Sequence, residues 1–65
     1  MNAKERREAA LKGLETVARF NMGLYTYDGE RDKPMVEDLT YWESKGKAHK
    51  ADEGEGWALW KLGKG

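Results

Sequence analysis

The sequence predicts an α+β fold in the order helix, strand, helix, strand, strand, with a small three-stranded sheet against two helices. Three observations carry this. Residues 3–21 and 32–45 each repeat apolar side chains at helical spacing. Between them, Leu24-Tyr25-Thr26-Tyr27 is a run of β-formers followed by the turn pair Asp28-Gly29. After them, residues 46–62 (GKAHKADEGEGWALWKL) read as a glycine stop, a polar strand, a charged turn and an aromatic strand.

The first helix begins with good helix formers, Ala3 to Lys12, behind Asn2 as N-cap. Ala10, Leu14, Val17 and Ala18 form its apolar stripe, Leu11 widens it and Asn21 extends it. Gly13 interrupts the stripe, and either marks close packing or splits the segment into two helices. Gly23 is the expected C-terminal stop. In the strand that follows, Leu24 and Thr26 share one face, Tyr25 and Tyr27 the other. Asp32 is the expected cap of the second helix, with Pro34 in its first turn, where a missing N–H costs nothing. Met35, Val36, Leu39 and Trp42 give a core stripe, and Gly46 ends the helix just after Lys45. Residues 47–51 and 57–62 then pair around the loop 52–56. Trp57 and Trp60 lie three apart and so point to opposite faces of their strand. Trp60, with Ala58 and Leu62, is expected inside, and Trp57 nearer the surface beside Tyr25 and Tyr27.

The chain has 65 residues, which makes residues 1–62 one small domain and residues 63–65 a frayed tail. Such a domain buries only about 60% of the surface its unfolded chain exposes, so its margin of stability is thin. Trp42, Trp57, Trp60, Phe20, Leu11, Leu14, Leu24, Leu39, Leu59 and Leu62 are expected to supply the core. With no cysteine and one histidine, disulfides and thiolate metal sites are excluded and His49 has no obvious co-ligands. No cofactor and no metal are expected. The apolar runs are too short to span a membrane, and Met1 is not followed by an apolar signal segment, which together with the absent cysteine favours a cytoplasmic protein.

Twelve basic and twelve acidic residues cancel overall, but not locally. Residues 1–20 carry a net of +2, residues 21–44 a net of −4 and residues 45–65 a net of +2. The middle of the chain is acidic and both ends are mildly basic.

Residues 32–62, a helix DKPMVEDLTYWESK, then GKAHKA, a turn and GWALWKL, resemble the winged helix-turn-helix family. The resemblance covers about half the chain. It implies a recognition helix over residues 32–45 and a wing over the last two strands. The family also carries a short helix before the recognition helix. Here residues 22–31 read as strand and turn, so residues 14–22 would have to supply it through a break at Gly13.

The resemblance implies DNA binding, but the charges of that helix oppose it. Asp32, Glu37, Asp38 and Glu43 stand against Lys33 and Lys45, whereas groove reading needs cations on phosphates and amides or guanidinium groups on base edges. The expected function is therefore a small non-enzymatic regulator, of the accessory kind that phages and mobile elements carry. It would dock on a protein partner, as monomer or dimer, through Asp28, Glu30, Glu37, Asp38, Tyr41, Tyr25, Tyr27 and Trp57, with Asp32 beside them. The alternative is a winged-helix transcriptional regulator that holds duplex DNA through Arg6, Arg7, Lys45, Lys47, His49 and Lys50, with Lys61 near by. Asp52, Glu53 and Glu55 lie in the same wing, where a nucleic-acid footprint should be plainly basic. Glu37/Asp38 and Glu53/Glu55 read as solvated surface acids, not catalytic pairs.

Overall fold

The computed structural model describes residues 1–65. The elements follow the expected order: α1 (Ala3–Ala18), β1 (Leu24–Tyr27), α2 (Lys33–Ser44), β2 (Ala48–Gly54) and β3 (Trp57–Leu62). The strands form one antiparallel sheet in the order β1-β3-β2. Helices α1 and α2 pack on one of its faces.

Helix α1 starts as its sequence dictates. The Asn2 side chain accepts from the Glu5 N–H at 2.9 Å, and its amide donates back to the Glu5 carboxylate at 2.9 Å, satisfying an otherwise orphaned helix donor. The helix runs unbroken through Gly13, where an added Cβ would meet nothing, so that glycine neither breaks the helix nor serves close packing. The helix stops earlier than expected. Asn21 takes up the left-handed conformation (φ 56°), and the Met22 N–H turns back to the Val17 carbonyl at 3.0 Å. Asn21 thus does the work expected of Gly23, and Phe20, expected in the core, is left 71% exposed in the reversal.

Gly23 has a different reason. A Cβ built there would stand 2.6 Å from the Trp60 carbonyl oxygen and 2.7 Å from Leu59 Cδ1. The backbone of β3 cannot withdraw without breaking the β1–β3 ladder. Gly23→Ala is therefore expected to destabilise by about 1–3 kcal/mol, the usual cost of forcing extra volume into a packed site. A urea melt checks this, and an unchanged midpoint would mean that the strand yields freely.

Helix α2 begins at Lys33, with Pro34 in its first turn. Asp32 makes no capping bond to it, contrary to expectation; its Oδ2 accepts the Tyr27 N–H at 2.7 Å and so fastens the β1–α2 loop to the strand. At the other end the expected glycine stop is complete. Gly46 (φ 73°) donates to the Glu43 carbonyl at 3.0 Å and Lys47 donates to the Trp42 carbonyl at 2.9 Å, the paired closure that lets a helix turn directly into a strand.

The core consists of Ala10 and Leu14 from α1, Leu39 from α2, Ala48 from β2 and Trp60 from β3, with Leu24, Met35, Val36, Trp42 and Ala58 packed against it. Trp60 is fully buried, as expected, and its indole N–H donates to the buried Thr26 hydroxyl at 2.9 Å. Trp42 is half-buried and spends its N–H on the Arg7 carbonyl at 2.6 Å, pinning α2 to α1. Leu62, expected inside, lies 39% exposed at the strand's end. The tail is not free from residue 63. The Gly63 N–H donates to the Lys47 carbonyl at 2.9 Å, and His49 Nδ1–H donates to the Gly63 carbonyl at 2.8 Å.

Candidate functional site: an open aromatic sheet face

With both helices on one side, three strands leave their other face without cover. Strand alternation decides what stands on it. Thr26, Ala58, Trp60 and Ala48 point toward the helices, so Tyr25 and Tyr27 of β1, Trp57 and Leu59 of β3 and their cross-strand neighbours point away. Tyr25 and Tyr27 are 55% and 58% exposed. Their rings stack at 6.5 Å and 18°, and Trp57 closes on Tyr25 at 5.9 Å and 51°. The Trp57 indole lies across Gly54 of β2, where an added Cβ would strike it. The three rings form one layer of π-surface with usable hydroxyl and N–H edges.

The β1–α2 loop borders this layer with acid. Tyr27, Asp28, Glu30 and Glu37 line a shallow cleft of about 360 Å³ together with Lys33 and Val36. The Asp28 N–H donates to the Gly56 carbonyl at 2.9 Å, which ties the loop to the β2–β3 turn. A second recess, lined by Tyr25, Tyr27, Asp28, Arg31 and Asp32, continues it along the β1 edge. Six of the eight docking residues expected from sequence thus gather at one end of the sheet: Tyr25, Tyr27, Trp57, Asp28, Glu30 and Glu37.

The other two do not. Asp38 is only 3% exposed, not on the solvent face of α2, and its Oδ2 accepts from Arg6 Nε at 2.9 Å. A partner cannot reach it. The reason lies in its spacing: Met35, Asp38 and Trp42 recur at i, i+3 and i+7, so a carboxylate rides on the helix's inner stripe and draws a guanidinium over from α1. Tyr41 is half-buried on the α1–α2 side. Its ring meets Trp42 edge-on at 5.0 Å, with the Arg7 guanidinium 4.3 Å and the Lys45 ammonium 5.5 Å from its centroid.

The cations expected as a DNA footprint are largely occupied within the molecule. Arg6 is paired with Asp38 and lies 4.0 Å from Glu37, and Arg7 and Lys45 sit over Tyr41. Lys50 is 3.7 Å from Glu53 and lies over the Trp60 ring at 5.3 Å, and His49 is bonded to Gly63. Lys47 is exposed and makes no ion pair. No group of three His, Cys, Asp or Glu side chains comes together that could hold a metal ion, and no helix is long and apolar enough to cross a membrane.

Sequence reasoning did not find the Arg6–Asp38 pair, though the charge inside the stripe was its signal. Nor did it find the Trp60–Thr26 bond, which needs the strand register before it can be seen. The chain matches no protein-family model, no curated protein and no solved structure.

Proposed function

We propose that this chain is a small non-enzymatic regulatory module of the cytoplasm that docks on a protein partner through its open sheet face. The observation that carries the reading is the layer of Tyr25, Tyr27 and Trp57, two of them more than half exposed, on a face no element of the chain covers. Tyrosine and tryptophan supply most of the energy of protein interfaces, because they bury much area at little cost in conformational freedom. Asp28, Glu30 and Glu37 give the layer an acidic border that selects partners by charge. A winged-helix-like reading of the fold is supported by the β2–β3 hairpin that follows α2 directly, in the place of a wing. The single helix between β1 and β2 is one fewer than that family carries. The reading of the carboxylates as surface acids is supported by Asp38 being held by Arg6, and by Glu53 on β2 and Glu55 in the following turn both being exposed.

The test sets this reading against nucleic-acid binding. The chain is titrated against random duplex DNA at about 50 and 200 mM salt, a range over which a phosphate binder loses orders of magnitude in affinity. No binding at the lower salt is expected, together with capture of a protein from a source extract that Tyr27→Ser abolishes and Lys47→Glu spares. Tight DNA binding that collapses with salt and with Lys47→Glu would replace protein docking by DNA binding.

A further inference from the structure

The strand register arranges the open face in three rows. Nearest the β2–β3 turn stand Tyr27 and Trp57, beside Gly54. The middle row is Tyr25, Leu59 and Asp52, and the far row holds Lys61 and His49. The segments that continue the first row carry the exposed acids Asp28, Glu30 and Glu55 against one exposed cation, Arg31, and those that continue the far row carry the exposed Lys47 and Lys64. The face is acidic at one end, aromatic across its middle and basic at the other. The chain as a whole has no net charge.

This bipolar pattern discriminates among occupants. A cationic protein gains at the acidic end and is repelled at the basic one, and a nucleic acid meets the reverse. A second copy, turned end for end, presents opposite charge at both ends at once. We propose that the occupant of this face is a second copy of the chain, packed sheet to sheet about a two-fold axis that lies across the strands. The proposal rests on the docking reading of the same face and names the partner. Under that symmetry the same patch serves both copies. Tyr25 and Leu59 meet their own counterparts near the axis in an apolar contact over β1 and β3, while Asp52 lies near its own counterpart at the exposed β2 margin. Trp57 faces Lys61 of the other copy, since β3 lies over β3, and a cation lies over a π-face. Asp28 and Glu55 come opposite the lysines of the basic end. Three short strands make a small interface, and association in the micromolar range is expected.

The experiment is sedimentation equilibrium of the full chain from about 5 to about 500 µM, a span that brackets micromolar dissociation constants. The expected mass rises from 7.4 kDa to twice that value without larger species, and the rise weakens at high salt. Tyr25→Ser should stay monomeric with an unchanged far-UV spectrum, since Tyr25 is 55% exposed and supports no core residue. A copy with Lys61→Glu and a copy with Asp28→Lys and Glu55→Lys should each dimerise poorly alone and recover together, a rescue that only a head-to-tail charge match provides. A single species at 7.4 kDa throughout overturns the proposal, and so does a dimer indifferent to Tyr25→Ser and Lys61→Glu. If the chain is monomeric and Tyr25→Ser still abolishes capture of another protein, the docking reading stands without self-association. If neither is seen, both readings fall.

Discussion

Trp60→Ala is expected to leave most of the chain unfolded in buffer at room temperature. Trp60 is fully buried and sits where β3 meets both helices, so its removal empties the centre of the core. Truncating a buried tryptophan to alanine costs about 3–5 kcal/mol. The Thr26 hydroxyl, itself only 3% exposed, loses its partner as well, which adds about 1 kcal/mol or more. A chain of this length has roughly 3–10 kcal/mol of stability in all. The loss is comparable with the whole. Trp60→Phe separates the two contributions, because it keeps most of the ring volume and gives up the indole N–H. Far-UV circular dichroism and urea midpoints of the two variants report the outcome. A Trp60→Ala chain with a native spectrum and an unfolding free energy lowered by less than about 1 kcal/mol would place the core elsewhere.

Arg6→Ala is expected to cost about 2 kcal/mol, a large loss for a side chain at the surface of so small a protein. The substitution removes the guanidinium bonded to the buried Asp38 carboxylate. Stranding one member of a fully buried pair costs more than this, but the Arg6 side chain is 44% exposed and water screens part of the interaction. Arg6→Met with Asp38→Leu should recover most of the loss, since it removes the buried charge together with its partner. Urea midpoints of Arg6→Ala, Asp38→Ala and the double replacement form the check. Equal, additive losses from the single changes would show that the two side chains do not act as a pair.

Much of the architecture was legible because local chemistry and global packing agree. Asn2, Gly46 and the alternation of β3 each announce what the structure delivers, and Trp60 could be assigned to the core from its neighbours Ala58 and Leu62, even though Leu62 itself ends half in solvent. What sequence did not disclose depends on tertiary distance. Gly23 reads as a helix stop until β3 is placed 2.6 Å from its missing side chain. Asp32 reads as a cap until the loop folds back and offers it the Tyr27 N–H. Asp38 reads as a surface acid until α1 brings Arg6 beside it. The aromatic layer was legible in part: alternation set Tyr25 and Tyr27 on one face, but only the register β1-β3-β2 lays Trp57 against them. Lys45 stands four residues beyond Tyr41, a contact helical spacing allows, but the Arg7 guanidinium over the same ring comes from α1 and no reading of spacing along one helix could foresee it.

The bond from the Tyr27 N–H to Asp32 blocks part of an edge on which a fibre could otherwise grow. Strand β1 is an outer strand, and its unpaired main-chain groups are a template on which another chain can lay a strand of its own. Its residues, Leu24-Tyr25-Thr26-Tyr27, are β-prone and uncharged, which makes that edge the more hazardous of the two. The carboxylate occupies the donor a newcomer would need, and it brings a negative charge with it. On the opposite outer strand, β2, the ladder is interrupted between Lys50 and Asp52, and charged side chains follow one another along it. Irregular, charged edges pair badly. Sideways, strand-by-strand addition is thereby obstructed at both margins, and contact is directed to the flat of the sheet, where a two-fold arrangement closes on itself and stops.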